Sequence, residues 1–139
     1  MLSLTKISKI VIHHSHDDNH TLQSIKNLHV FQNNWEDIGY HWIIDKNGNL
    51  LQGRSETFQG AHVFGHNENS IGICLIGNLD EYKPTQKQFE ILINFLKDKI
   101  KQYQLKPKNI LGHNEFPNVT KTCPGKFLDL NEIRELIKK

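Results

Sequence analysis

Three histidines stand at the ends of apolar runs, and one cysteine stands alone in a polar loop. His13 and His14 close the β-branched run KIVIHHS (9–15), and His113 closes NILGH (109–113). Cys123 follows ten residues later, within NVTKTCPGKF (118–127). Loops lie on the surface, where a free thiol is a liability unless something uses it. Two imidazoles and one thiolate are good ligands for Zn2+, and three protein ligands rather than four leave a position for water. That count marks a catalytic rather than a structural site. No local metal motif such as H-E-x-x-H or C-x-x-C is present, so the ligands are far apart in sequence. Scattered surface histidines beside an incidental thiol stand as the alternative. Neighbouring strand residues point to opposite faces, so His13 and His14 do not both reach one metal from a regular strand.

The elements that must position these groups alternate between strand and helix. KIVIHHS reads as a strand, and SIGICLIG (70–77) as a central strand buried on both faces. YHWIIDKNGNLLQ (40–52) reads as a hairpin turning at Asn47-Gly48. Leu22, Ile25, Leu28 and Phe31, with Gln32 and Trp35 continuing along that side, predict a first helix. Thr85 and Gln88 form a capping-box pattern before a long amphipathic helix that carries Phe89, Leu92, Leu96, Ile100 and Tyr103. NILGH is a brief strand, and Asp129 with Glu132, Ile133, Leu136 and Ile137 predicts a short closing helix. The expected fold is α/β: one domain over 1–139, a central mixed β-sheet with helices packed on its faces. Residues 53–69 show little periodicity and read as a long loop, where function often sits. In α/β sheets the strand ends and the loops beyond them form the usual site.

Composition narrows the class. At 139 residues, with 37% hydrophobic and 23% charged, the chain is globular and long enough for one good core. A net charge of +2 is too weak to argue nucleic-acid binding, and no run approaches the ~20 apolar residues of a membrane helix. Lys6 and Lys9 interrupt the N-terminal apolar residues and no small-residue cleavage site follows, so synthesis in a cytoplasm without a signal peptide is expected. Two cysteines allow a Cys74–Cys123 bridge on parity, which a reducing compartment disfavours.

Six ordered blocks carry a resemblance: I-V-I-H-H-S, N-W-x-D-I-G-Y-H-W-I-I-D, G-A-H, N-S-I-G-I-C-L-I-G, L-G-H-N-E and K-T-C-P-G. Together, from Lys9 to Phe127, they resemble the zinc-dependent N-acetylmuramoyl-L-alanine amidases of the phage-lysozyme and peptidoglycan-recognition-protein superfamily. The resemblance implies one Zn2+ ion held by His13, His113 and Cys123, with Tyr40 and Lys121 assisting catalysis. Phage enzymes of the family carry Lys at the position of Lys121, where many recognition proteins carry Thr. The implied activity is hydrolysis of the amide between N-acetylmuramic acid and L-alanine in peptidoglycan, in a monomeric phage or prophage endolysin with no separate wall-binding domain. Such an enzyme acts on the wall after release from the host cytoplasm. A non-catalytic peptidoglycan-binding module of the same fold is the alternative.

Other residues admit two readings each. His62, in the G-A-H block, is a candidate for substrate contact, as are Arg54, toward a peptide carboxylate, and Asn69; solvated loop residues are the alternative. His41 reads as a packed core histidine and Cys74 as a small apolar filler. Glu115 is either an orienting partner for His113 or a solvent-facing carboxylate.

Overall fold

The computed structural model describes residues 1–138. Five strands form one sheet in the order β3-β2-β4-β1-β5. They are β1 (Lys9–His14), β2 (Trp42–Ile44), β3 (Leu50–Gln52), β4 (Ser70–Leu75) and β5 (Ile110–Gly112). β1 runs parallel to β4 and β5, β2 runs parallel to β4, and β3 closes the edge antiparallel to β2, so the sheet is mixed as expected. The central strand β4 is buried along its whole length, as its unbroken apolar run predicts.

Strand alternation divides the side chains between two faces. Ile10, Ile12, Ile44, Ile73, Leu75 and Ile110 form one core with the inner faces of two helices, α2 (Gln86–Tyr103) and α3 (Leu130–Ile137). Each such buried Leu or Ile contributes about 1.5–3 kcal/mol relative to exposure. Both helices start at a side-chain cap: Thr85 accepts from Gln88 N in a full capping box, and Asp129 accepts from Glu132 N. The alternate residues Val11, His13, Gly72 and Cys74 therefore face the other way, where a short helix and long loops pack on the sheet in two smaller clusters.

The first helix departs from its expected course. α1 spans Leu22–Asn27 and continues as a π-helical turn over Leu28–Gln32, in which Asn33 N bonds to Leu28 O. The wider turn shifts the helical phase, so Phe31 is exposed and His29 is buried instead. His29 Nδ1 then accepts from Gly39 N at 2.9 Å, which ties the turn to the segment leading into β2. Trp35 lies beyond the helix and packs on the His29 ring.

Candidate functional site

Register brings the first two histidines together. Ile12 of β1 pairs with Gly112 of β5, so His13 and His113 are the next residues along two parallel neighbours. Their rings stand 4.7 Å apart between centroids. The loop of Cys123 folds back over this edge: its Sγ accepts from His14 N at 3.4 Å and lies 3.7 Å from His13 Nδ1. One ligand atom from each of His13, His113 and Cys123 falls within 4.8 Å of the others. Both cysteines are free.

The electrostatics of the trio suit a cation. Burial holds His13 well below the usual histidine value, helped by His62, His113 and His14. His113 is lowered as well, by burial and then by the Lys121 ammonium. Both rings are therefore neutral and able to ligate. Burial pushes the Cys123 thiol up to about 11, so a metal must displace its proton. Two imidazoles and a sulfur form a donor set whose chemistry would suit a zinc ion.

Backbone hydrogen bonds fix the two late ligands. Asn114 N donates to Cys123 O at 2.7 Å, joining the turn after β5 to the cysteine loop. Asp80 accepts from the Thr122 hydroxyl at 2.7 Å and from Lys126 N at 3.0 Å, gripping the loop on both sides of Cys123. Gly125, at φ +113°, lies against the Leu79 backbone where a side chain has no room. Glu115 accepts from Gly112 N at 2.9 Å and pairs with both Arg134 guanidinium nitrogens. It holds the turn that carries His113 through the backbone rather than through the imidazole.

A cleft of about 900 Å³ opens over the trio. Tyr40 and Lys121 both line it. The Tyr40 ring sits 5.1 Å from that of His13, and burial beside the Cys74 and Cys123 thiols keeps its hydroxyl protonated. Lys121 is exposed at the rim. His62 also lines the cleft but is buried at 8% exposure, and its Nδ1 stands 2.9 Å from His13 Nε2. Burial, then His41 and His113, lowers it to about 3, so it is neutral. His14 turns away and accepts from Leu79 N at 3.0 Å.

The structure places two expected substrate contacts, Arg54 and Asn69, away from the cleft. Arg54 is buried off the cleft, and its guanidinium donates to the Ile38, Asp37 and Gln59 carbonyls, so it braces backbone. Asn69 does not line the cleft; its main-chain oxygen accepts from Ser8 N instead. His41 is a fully buried core residue between Gly72 N and Phe58 O, and Cys74 is fully buried in β4. Asp80, Thr122, His29 and Ser70 were not singled out from sequence. Asp80 and Thr122 carried a weak signal, one just beyond the central strand and the other beside Cys123.

The profile of the N-acetylmuramoyl-L-alanine amidase family matches residues 3–126. Peptidoglycan-recognition protein SD of Drosophila melanogaster is 35% identical over 108 residues, covering 77% of this chain. The chain spans only 57% of that relative's length. The endolysin of Escherichia phage T7 is 43% identical over 60 residues, which are 43% of this chain and 39% of the endolysin. Among solved structures, the N-acetylmuramoyl-L-alanine amidase LysC from Clostridium intestinale superposes with a TM-score of 0.88 at 32% identity, covering 96% of this chain and 86% of that one.

Proposed function

The chain belongs to the N-acetylmuramoyl-L-alanine amidase family, and we propose that it is a working zinc amidase rather than a binding module. Its substrate is the amide between N-acetylmuramic acid and L-alanine in peptidoglycan, and its setting is phage or prophage lysis. Residues 1–139 form the catalytic domain and act as a monomer. One observation carries this reading: two neutral imidazoles and a thiol converge within 4.8 Å at the floor of a cleft that Tyr40 and Lys121 also line. A pure binding groove needs no such convergence. The likeness to the LysC amidase and to the T7 endolysin supports the same reading.

In this proposal His13, His113 and Cys123 hold the ion. When bound, zinc supplies a Lewis acid for the amide carbonyl and acidifies water to a pKa of about 7. Lys121 presents a fixed positive charge to the oxygen that becomes anionic as the amide is attacked. Tyr40, protonated and half-buried against His13, donates a hydrogen bond from the cleft wall. His62 touches His13 from behind and shapes the floor of the cleft.

Incubating the protein with purified peptidoglycan tests the reading. New L-alanine amino termini are expected, abolished by EDTA and restored by Zn2+. Binding to peptidoglycan without any release of amino termini would make the chain a recognition module.

A further inference from the structure

The hydrogen bond between His13 Nε2 and His62 Nδ1, 2.9 Å long and buried, can be read in two directions. If His62 donates, His13 carries its own proton on Nδ1, the nitrogen that stands 3.7 Å from Cys123 Sγ. If His13 donates, that nitrogen keeps its lone pair. The surrounding hydrogen bonds decide between the two.

We propose that His62 is a positioning residue that fixes His13 in the Nε2–H tautomer required for ligation, and that Ser70 sets His62 to do so. The inference rests on the reading of His13, His113 and Cys123 as metal ligands. His66 O can only accept, and Ser70 Oγ lies 2.7 Å from it, so the single hydroxyl proton of Ser70 is committed there. The 3.3 Å contact from Ser70 Oγ to His62 Nε2 is then a hydrogen bond only if Nε2 carries the proton. A neutral imidazole has one N–H, so His62 Nδ1 is an acceptor. His13 must donate to it from Nε2, which leaves Nδ1 of His13 bare on the side of Cys123 and His113.

The backbone is shaped for this ring. A Cβ on Gly72 would meet the His62 ring at 2.6 Å, and a Cβ on Gly60 would meet it at the same distance. Two glycines, one in β4 and one two residues before His62, thus let the imidazole lie flat against the sheet. Ser70 begins the same strand and is fully buried, so no water competes for its hydroxyl. Ligating histidines commonly donate their second N–H to a carboxylate, a carbonyl or water. Here the acceptor is another histidine, which serves only in one tautomer, and a serine enforces it.

The test uses long-range proton–nitrogen spectra of the histidine-labelled, metal-free full chain, which distinguish the two tautomers directly. Wild type is expected to hold His13 as the Nε2–H form. Ser70→Ala and His62→Leu are expected to populate the other form and to weaken zinc about 10–100-fold in chelator competition. His62→Asn, whose Oδ1 can stand where Nδ1 stood, is expected to recover most of that loss. A His13 proton on Nδ1 in metal-free wild type overturns the proposal, whatever the variants do and whether or not they fold. Unchanged zinc affinity in both folded Ser70→Ala and His62→Leu overturns it too. A wild-type protein that binds no zinc would instead sink the metal reading, while the spectrum still decides the direction of the hydrogen bond.

Discussion

The carboxylate of Asp80 accepts the Thr122 hydroxyl at 2.7 Å, 42 residues away in sequence, while its other oxygen accepts Lys126 N at 3.0 Å. Between these two anchors lies Cys123. Asp80 touches none of the three candidate ligands through its own carboxylate, yet it fixes the loop that presents one of them. Asp80→Ala is therefore expected to weaken zinc about 10–100-fold, as loss of an orienting partner does. Chelator competition on the purified variant checks this. Zinc binding at wild-type strength would mean that Asn114 N and the packing of Gly125 hold the loop unaided.

Cys123→Ser keeps a polar atom near His14 N but replaces a soft ligand with a hydroxyl that does not ionise at neutral pH. Zinc binding and release of L-alanine amino termini are both expected to vanish. Metal analysis after dialysis, paired with product detection, measures the two together. A Ser variant that kept full activity would remove Cys123 from the site.

How much of this was legible before folding depends on distance along the chain. His13, Cys123 and Lys121 sat in short ordered blocks whose spacing resembles a family, and β1, β4 and α2 announced themselves through apolar runs and a capping box. What sequence could not carry was pairing between remote polar atoms. Arg54 looked free for a substrate carboxylate because the carbonyls of Ile38, Asp37 and Gln59 that occupy it converge only in three dimensions. The π-turn escaped for a related reason: a 3.6-residue period fits Leu28 and Phe31, while the bond from Gly39 N to the buried His29 forms only in three dimensions. Ser70 read as an ordinary strand start, since its meaning lies in His62 and His66.

Lys121→Ala is expected to leave zinc affinity within a few-fold of wild type while slowing turnover, since the ammonium is at the rim and is not a ligand. Removing one donor to a developing oxyanion costs roughly 10²–10³ in kcat. Steady-state kinetics on a soluble muropeptide checks the split, with the loss expected in kcat rather than KM. A pure KM effect would assign Lys121 to substrate binding.

Tyr40→Phe separates the hydroxyl from the ring. The ring packs with Ile25, Ile38 and Ile43 and stands 5.1 Å from the His13 ring, so folding and zinc binding are expected to survive. Turnover is expected to fall about 10–100-fold, short of the loss for a charged donor because a neutral hydrogen bond is roughly half as strong. Unchanged kcat would give Tyr40 a packing role alone.

The remaining prediction concerns stability on the far side of the sheet. Glu56 accepts the Trp42 indole N–H at 2.5 Å, the Lys99 ammonium at 2.6 Å and the Tyr103 hydroxyl, so the loop after β3 is fastened to α2. Burial pushes this carboxyl up, but the bonds from Lys99, Tyr103 and Trp42 together outweigh it and hold it below its ordinary 4.5. The unfolded chain therefore binds this proton more readily than the folded one, and stability rises with pH across that window. The contribution is fully present above 4.5 and is lost as the pH falls through the lowered folded value. Glu56→Gln is expected to cost about 1–3 kcal/mol at pH 7, where Lys99 loses its charged partner, and little once the pH lies below the folded value of the carboxyl. Urea unfolding at a series of pH values measures both ends, and a variant whose curve ran parallel to wild type would place the acid sensitivity in other carboxylates, with Glu115 and its Arg134 pair the first to test.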